Sequence, residues 1–395
     1  MTSSDQPVIV AALRTPIGTA GHGLAGIEAH DLAAPVLRAL ASHSVLGGRP
    51  VDQVVLGNCT GPGGDVARVA TLAAGLDVSV PATTVDAQCG SGLSALEVAH
   101  DRVLARGGLV LAGGVESAST APRRTWPAGH PRTAGAEGDL AFSRAPFSTA
   151  DLGDPDMGYA NDLLAERYGI SREEQDAYAA RSHARAYAHR EAGGFDDELV
   201  PVGGLTRDER PRGGLTVQRL ARLRPTYRPV DEGGTVTAGN ACGINDGAAA
   251  VAMVGGPLHR ELGSPAGLRV RAVATCGVHP TTPGIGPVPA IRRVLVDADA
   301  SLEAVHAIEI NEAFAGQVLA CCADLDLDPE RVCADGGAIG LGHPWGASGA
   351  VLMVRLYSRL VPDPEVPEGA LGLAAIAVGG GQGVAMLVEK AGSSC

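Results

Sequence analysis

Lysine is almost absent: of 31 basic side chains only Lys390 is a lysine, and the others are arginines. A P-loop needs the lysine of GxxxxGK, and pyridoxal phosphate needs a Schiff-base lysine, so both chemistries are excluded. Aromatic residues make up 3% of the chain against 55 glycines in 395 residues. The interior must therefore be built from Ala, Val, Leu and closely approaching backbone. Cysteine occurs eight times but never as CxxC or near a His pair, so neither a disulfide framework nor a metal site is expected. Most thiols should be reduced and buried. The start MTSSDQPVIV has no basic n-region or long apolar run, which points to the cytoplasm. The uncharged stretch from Leu371 to Val388 is rich in Gly and contains Gln382, so it reads as buried strands and not as a membrane span. A net charge of −13, spread along the chain, argues against nucleic acid or an anionic membrane as partner.

What the chain does contain is a repeat. In the first half PATTVDAQ reads as a strand, CGSGLSALEVAHDRVLARGG as a helix, and LVLAGGVES as a second strand ending in paired glycines. In the second, RVCADGGAIGL leads into the helix HPWGASGAVLMVRLYSRL, and LGLAAIAVGGGQG supplies the strand and glycines. VDQVVLGN at 51–58 likewise resembles VHAIEINE at 305–312. A duplicated α/β unit explains these matches, with mixed sheets covered by helices on both faces. Residues 121–240 are poorer in apolar runs and form a long excursion with helices of its own. One begins at Ser171, with Glu174 completing a capping box and Gly193 as the stop; its polar face predicts exposure.

Cys89 falls where a strand ends and a Gly-rich helix begins, where backbone N–H groups and the helix dipole should lower a thiol pKa. On its own such a residue reads more readily as a buried inert Cys. His343 occupies the equivalent turn of the second half, so pseudo-twofold symmetry predicts that the two turns meet as a Cys–His pair. Asn311 and Glu312 follow the strand HAIEI, a usual place for site residues in α/β folds. Gly21–Gly26 spells GxGxxG, but it stands six residues after the strand VIVAALR and lacks the acidic partner of a dinucleotide site.

The stretches RTPIGTAGHGLAG, VDAQCGSG, GGVES, TAGNACGINDGAAA, GIGPVPAIRR, NEAFA and GGAIGLGHPWGASGA, in that order, resemble the thiolases over nearly the whole chain. The resemblance implies a duplicated αβαβα layered fold with two five-stranded mixed sheets. Residues 1–118 plus 245–266 would form the N-terminal half, 119–244 a loop domain over coenzyme A, and 267–395 the C-terminal half. It also implies a homodimer or homotetramer whose partners are acyl-CoA and an acyl acceptor, with a coenzyme A thioester as substrate and no permanently bound cofactor. By the same resemblance Cys89 is the acylated nucleophile and His343 the residue that activates it. Asn311 would hold a water for one oxyanion hole, and the N–H groups of Cys89 and Gly379 would form the other. Met157, Arg212, Ala238, Cys242, Ala313 and Phe314 fall where the family touches pantetheine or nucleotide, Arg212 near the adenine end.

The chain departs from that pattern in several places. Cys242 stands where Ser is usual, Asp156 where some members have His, and Pro283 where Met is common, so an altered acyl pocket is expected. In the last strand the family reads Cys-x-Gly-Gly-Gly, whereas here Ala377 and Val378 precede Gly379, Gly380 and Gly381. The acid/base thiol for carbon–carbon bond formation or thiolysis is missing, with Cys276 and His279 as candidate substitutes. Three functions stay open: inherited C-acyl transfer, transfer from acyl-Cys89 to an amine or hydroxyl, and a non-catalytic CoA-binding subunit.

Overall fold

The computed structural model describes residues 6–135 and 137–392. Its first half runs β1 (Val8–Arg14), β2 (Gly18–Thr19), α1 (Ala29–Ala41), β3 (Gln53–Gly57), α2 (Val66–Ala73), β4 (Ala82–Val85), α3 (Ser91–Arg106) and β5 (Leu109–Ser117). The excursion carries the paired strands β6 (Arg124–Trp126) and β7 (Leu140–Phe142), then helices α4 (Met157–Tyr168), α5 (Arg172–Glu191) and α6 (Val217–Leu220). The chain returns through β8 (Asn245–Val254) and α7 (Gly256–Glu261). The second half runs β9 (Gly267–Gly277), α8 (Pro287–Asp297), β10 (Val305–Ile310), α9 (Ala315–Leu325), α10 (Ala338–Leu341), α11 (Trp345–Leu360), β11 (Leu371–Val378) and β12 (Gln382–Ala391).

Strand order makes the duplication explicit. The first half is ordered β4-β3-β5-β8-β1 and the second β10-β11-β12-β9, with matching parallel and antiparallel pairs. The second half has four full strands where five were expected. The counterpart of β4 is a single parallel bridge between Ile308 and Val332, because Cys333 (φ 48) and Gly336 (φ 86) turn the chain away from the edge. β1 and β9 pair at Val8–Arg269 and Ile9–Leu268, which joins the halves into one ten-stranded sheet that also includes β2. The glycine pair Gly113–Gly114 lies inside β5 instead of ending it, and a Cβ on Gly113 would stand 2.0 Å from Ala249 O, so only glycine fits there.

Alternation along the strands assigns each residue to a layer. Val110, Ala112, Val251 and Met253 of the first half face inward, with Ala374, Ile376, Val384 and Met386 of the second, onto α3 and α11. Leu109, Leu111, Ala250 and Ala252 face α1 and α2, and Leu373, Ala375, Ala385 and Leu387 face α8. Strands buried on both faces are why these segments read as nearly unbroken apolar runs. Among the described residues no helix is long and apolar enough to cross a membrane.

α3 and α11 meet through bare backbone. A Cβ on Gly92 would lie 2.8 Å from Gly346 O, and one on Gly114 would lie 1.9 Å from the same oxygen. The excursion is fastened from both sides. Arg14 of β1 donates to Glu198 (2.7 Å) and to both oxygens of Asp208 (2.7 and 2.9 Å), and Arg355 of α11 pairs with Glu198 and Asp335. Such buried ion pairs specify position more than they add stability. α5 has the capping box expected at Ser171 and Glu174, but its polar face is not exposed. Tyr178 and Ser182 are buried and donate to Glu312 (2.9 and 2.6 Å), and Asn240 donates to Asp176 (3.0 Å), so hydrogen bonding replaces apolar contact along that face.

Replacing Gly349 in α11 separates propensity from packing. Helix propensity alone favours Gly349→Ala by about 1 kcal/mol. The new Cβ would stand 2.4 Å from Leu93 N, so overpacking should instead cost about 1–3 kcal/mol net. A urea midpoint shifted downward is the expected result, and an upward shift would refute the close approach.

Candidate active site

The Cys89 turn is shaped by the residues beside it. Gln88 takes φ 50, Gly90 N donates to Ala87 O (3.0 Å), Ser91 N donates to Gln88 O (2.9 Å), and Ser91 Oγ closes the loop onto Ala87 N (2.9 Å). α3 starts at Ser91, so Cys89 stands just before the helix. A Cβ on Gly90 would lie 2.6 Å from a methyl of Val378, so this turn is pressed against the end of β11. The second turn links α10 to α11. Gly342 takes φ 120, His343 N donates to Asn245 Oδ1 (3.0 Å), and Ile244 bridges to His343. Cys89 and His343 open onto one cavity of about 280 Å³, whose wall also includes Ala377 and Gly379.

His343 is buried between two polar partners. Its Nδ1 lies 2.6 Å from Ser348 Oγ, and its Nε2 lies 3.5 Å from Asn311 Nδ2. With the amide nitrogen of Asn311 facing Nε2, the arrangement suits Nε2 as the acceptor and a proton on Nδ1 toward Ser348. Burial pulls the imidazole down to about 4, so it is neutral at pH 7 with its basic nitrogen on the Asn311 side. Asn311 follows β10 and is held by its own N–H on Ala375 O (2.9 Å); it neighbours His343 Nε2 without itself lining the cavity.

The helix-terminus argument for Cys89 is overturned. Burial pushes its thiol up to about 12, with Cys242 and Glu116 adding to the rise, and the backbone N–H of Cys89 does not offset them. The residue keeps some surface on the cavity, yet densely packed chain around the sulfur penalises the thiolate. Its proton must therefore leave during the reaction, toward a base.

Of the residues matched to coenzyme A contacts, Met157, Cys242, Ala313 and Phe314 line the cavity, as do Asp156, Pro283 and Trp345. Arg212 and Ala238 do not; both are exposed on the excursion. The segment carrying Cys242 is strapped in place by Cys242 N on Ala313 O (3.0 Å) and Ala315 N on Asn240 O (2.9 Å). Glu312 turns inward to hold α5 and α10, accepting from Ile339 N at 3.0 Å. Cys276 and His279 do not reach the cavity: Cys276 packs against the outer core of the second half, and His279 Nδ1 lies 2.7 Å from Thr281 Oγ1. Besides Cys89, the thiol on the wall is Cys242. Asn161, Tyr227 and Gln317 also line the cavity and were missed. For Asn161 the available signal was helical spacing, since it follows Met157 by four residues on α4.

Fold and paired turns together define a class: duplicated α/β proteins with one cavity between pseudo-equivalent Cys and His turns. Residues 7–256 match the model of the thiolase N-terminal domain and residues 265–390 that of the thiolase C-terminal domain. The chain belongs to the thiolase family. It is 42% identical to acetyl-CoA acetyltransferase of Pseudomonas aeruginosa, over 97% of this chain and 99% of that protein. It is also 42% identical to a probable acetyl-CoA acetyltransferase of Escherichia coli, over 97% and 98%. The crystal structure of Bacillus anthracis acetyl-CoA acetyltransferase superposes with a TM-score of 0.87 at 37% identity, covering 98% of this chain and 99% of that one.

Alkylation by a neutral reagent reads the protonation state directly. With the thiol near 12, the rate at Cys89 should rise about tenfold per pH unit from pH 6 to 9, following the thiolate fraction. A plateau beginning near pH 7 would mean that the thiolate already exists at rest.

Proposed function

We propose that this protein is an acyltransferase that takes an acyl group from a coenzyme A thioester onto Cys89 and transfers it to carbon or to coenzyme A, by 3-ketoacyl-CoA thiolysis or the reverse condensation. One observation carries this reading: His343 is neutral, fixed by Ser348, and shares a cavity with Cys89. As Cys89 Sγ attacks the thioester carbonyl, His343 Nε2 accepts its proton. The carbonyl oxygen takes up negative charge against the N–H groups of Cys89 and Gly379. Collapse of the adduct breaks the carbon–sulfur bond to coenzyme A, and the proton on His343 passes to the departing thiolate. Asn311 is assigned the water that would serve the second oxyanion hole. Coenzyme A is substrate here and not a resident cofactor. Its pantetheine arm would pass Met157, Cys242, Ala313 and Phe314, with Ala238 and Arg212 outside toward the nucleotide. The reading includes a cytoplasmic homodimer or homotetramer.

The second half-reaction depends on a proton-transfer group that Ala377 cannot supply. Cys242 is the thiol in position to take that role, since it is on the same wall and influences the Cys89 thiol. Ala377 also favours a second reading, in which a neutral amine or hydroxyl acceptor discharges acyl-Cys89 without any carbanion being formed.

Intact-protein mass after incubation with acetyl-CoA, longer acyl-CoAs and a 3-ketoacyl-CoA should show an acyl adduct that disappears in Cys89→Ala. Absence of an adduct from every donor would leave a non-catalytic CoA-binding subunit. Restoring the thiol by Ala377→Cys should raise thiolysis by about 10²–10⁴-fold, the usual worth of a positioned acid/base. If Cys242 already serves, Cys242→Ser lowers wild-type thiolysis by a similar factor, about 10²-fold or more, but has little effect in the Ala377→Cys background. Discharge by amines, with no turnover by coenzyme A, would select the second reading.

A further inference from the structure

Arg14, Arg355 and Arg359 each meet a carboxylate: Arg14 at Glu198 and Asp208, Arg355 at Glu198 and Asp335, Arg359 at Glu309. Arg210, half-buried on the excursion, does not. Its Nε donates to Ile339 O (2.9 Å) and its Nη2 to Ala241 O (3.1 Å), and among the described residues no carboxylate pairs with it. The two carbonyls belong to the segments that carry His343 and Cys242. Ile339 is in α10, which leads into the His343 turn, and Ala241 directly precedes Cys242. Beyond Cys242, a Cβ on Gly243 would stand 2.4 Å from Arg210 Nη1, so the guanidinium lies along the backbone on both sides of that thiol. A positive charge is costly to take out of water without a partner, so its presence here points to negative charge that arises beside it during the reaction.

The groups around Cys242 make Arg210 the cation it can use. Burial pushes the Cys242 thiol up to about 12; Arg210 and the backbone oppose that rise, and Glu312 adds to it. Cys89 and Tyr227 are the other titrating groups that feel Cys242. Burial opposes the charge of Arg210, and Cys242 is the acidic group that favours it. His183 of α5 is pulled down to about 3 by burial, Arg210 and Arg212, so it is neutral and brings no counter-charge. We infer that Arg210 is a positioning residue of the second half-reaction, holding Cys242 on the cavity wall and supplying the positive charge against which its thiolate forms. In thiolysis, Cys89 Sγ bonds to the keto carbon, the carbon–carbon bond to the acetyl-CoA unit breaks, and Cys242 gives its proton to the resulting carbanion. Cys242 is then a thiolate beside Arg210 until it takes the proton of the incoming coenzyme A thiol. The sulfur of that coenzyme A displaces the acyl group from Cys89, which recovers its own proton from His343. This inference rests on the reading of Cys242 as the proton-transfer group.

Two measurements on full-chain variants test it. Alkylation of Cys242 by iodoacetamide is read by peptide mass in the Cys89→Ala protein, between about pH 7 and 9. It should be roughly tenfold slower in Arg210→Gln, since removing one close charge moves a pKa by about one unit or more. Arg210→Lys keeps the charge and should restore most of that rate. With Cys89 in place, kcat for thiolysis should fall in the same order, wild type above Arg210→Lys above Arg210→Gln. Alkylation equal in Arg210→Gln and its parent overturns the inference, as does thiolysis unchanged in Arg210→Gln. A loss in Arg210→Lys as large as in Arg210→Gln overturns it too, because the residue then acts through its hydrogen bonds alone. Should Arg210→Gln fail to fold, Arg210→Lys decides: alkylation slowed by more than about tenfold overturns the role of the charge, and a smaller change supports it. Thiolysis by Cys242→Ser as fast as by wild type overturns the reading of Cys242 and this inference with it; alkylation does not depend on that reading, so the two failures are told apart.

Discussion

The contact on which the rest depends is that between α3 and α11, made by backbone instead of side chains. Gly92 of α3 and Gly349 of α11 let the two helices touch where any Cβ would collide, and Gly114 of β5 leaves room for the carbonyl of Gly346. Each helix follows a turn that opens onto the cavity, Cys89 before one and His343 before the other. Close contact near their N-terminal ends therefore brings the two turns to one cavity. The shortage of aromatics and the abundance of glycine belong to this geometry, since bulky residues at the seam would separate the halves.

Placement of the polar network follows from that seam. Glu116 accepts from Gly346 N (3.0 Å), Asn58 Nδ2 (3.1 Å), Cys59 N (3.2 Å) and Thr60 N (3.1 Å), linking the first half to the start of α11 just beside the His343 turn. Glu198 is held ionised in the interior: burial opposes its charge, but Arg355 and Arg14 outweigh burial and keep its carboxyl below the usual range. These groups tie a polar excursion to an apolar body, which lets the excursion form one wall of the cavity with Met157, Asn161 and Tyr227.

Low dielectric around the cavity has opposite effects on its two titrating groups. It raises the Cys89 thiol to about 12 and lowers the His343 imidazole to about 4, so the resting pair is neutral on both sides.

The repeat, the strand–turn–helix signature at Cys89, the turn that opens the helix after His343, and the polar position at Asn311 were all legible from local pattern and from the resemblance to thiolases; that a helix and not a strand precedes the His343 turn was not. The sequence by itself determined the duplicated α/β body and named the two turns, because periodicity and glycine placement are properties of contiguous residues. Only tertiary structure decided the rest. It reduced the fifth strand of the second half to the bridge at Val332 and buried the polar face of α5 against Glu312. It kept Cys276 out of the cavity while bringing Cys242, Asn161 and Gln317 in. It also raised the thiol that local helix geometry was expected to lower. Each of these outcomes is set by groups distant in the chain, through burial and long-range hydrogen bonding, which no window of neighbouring residues contains.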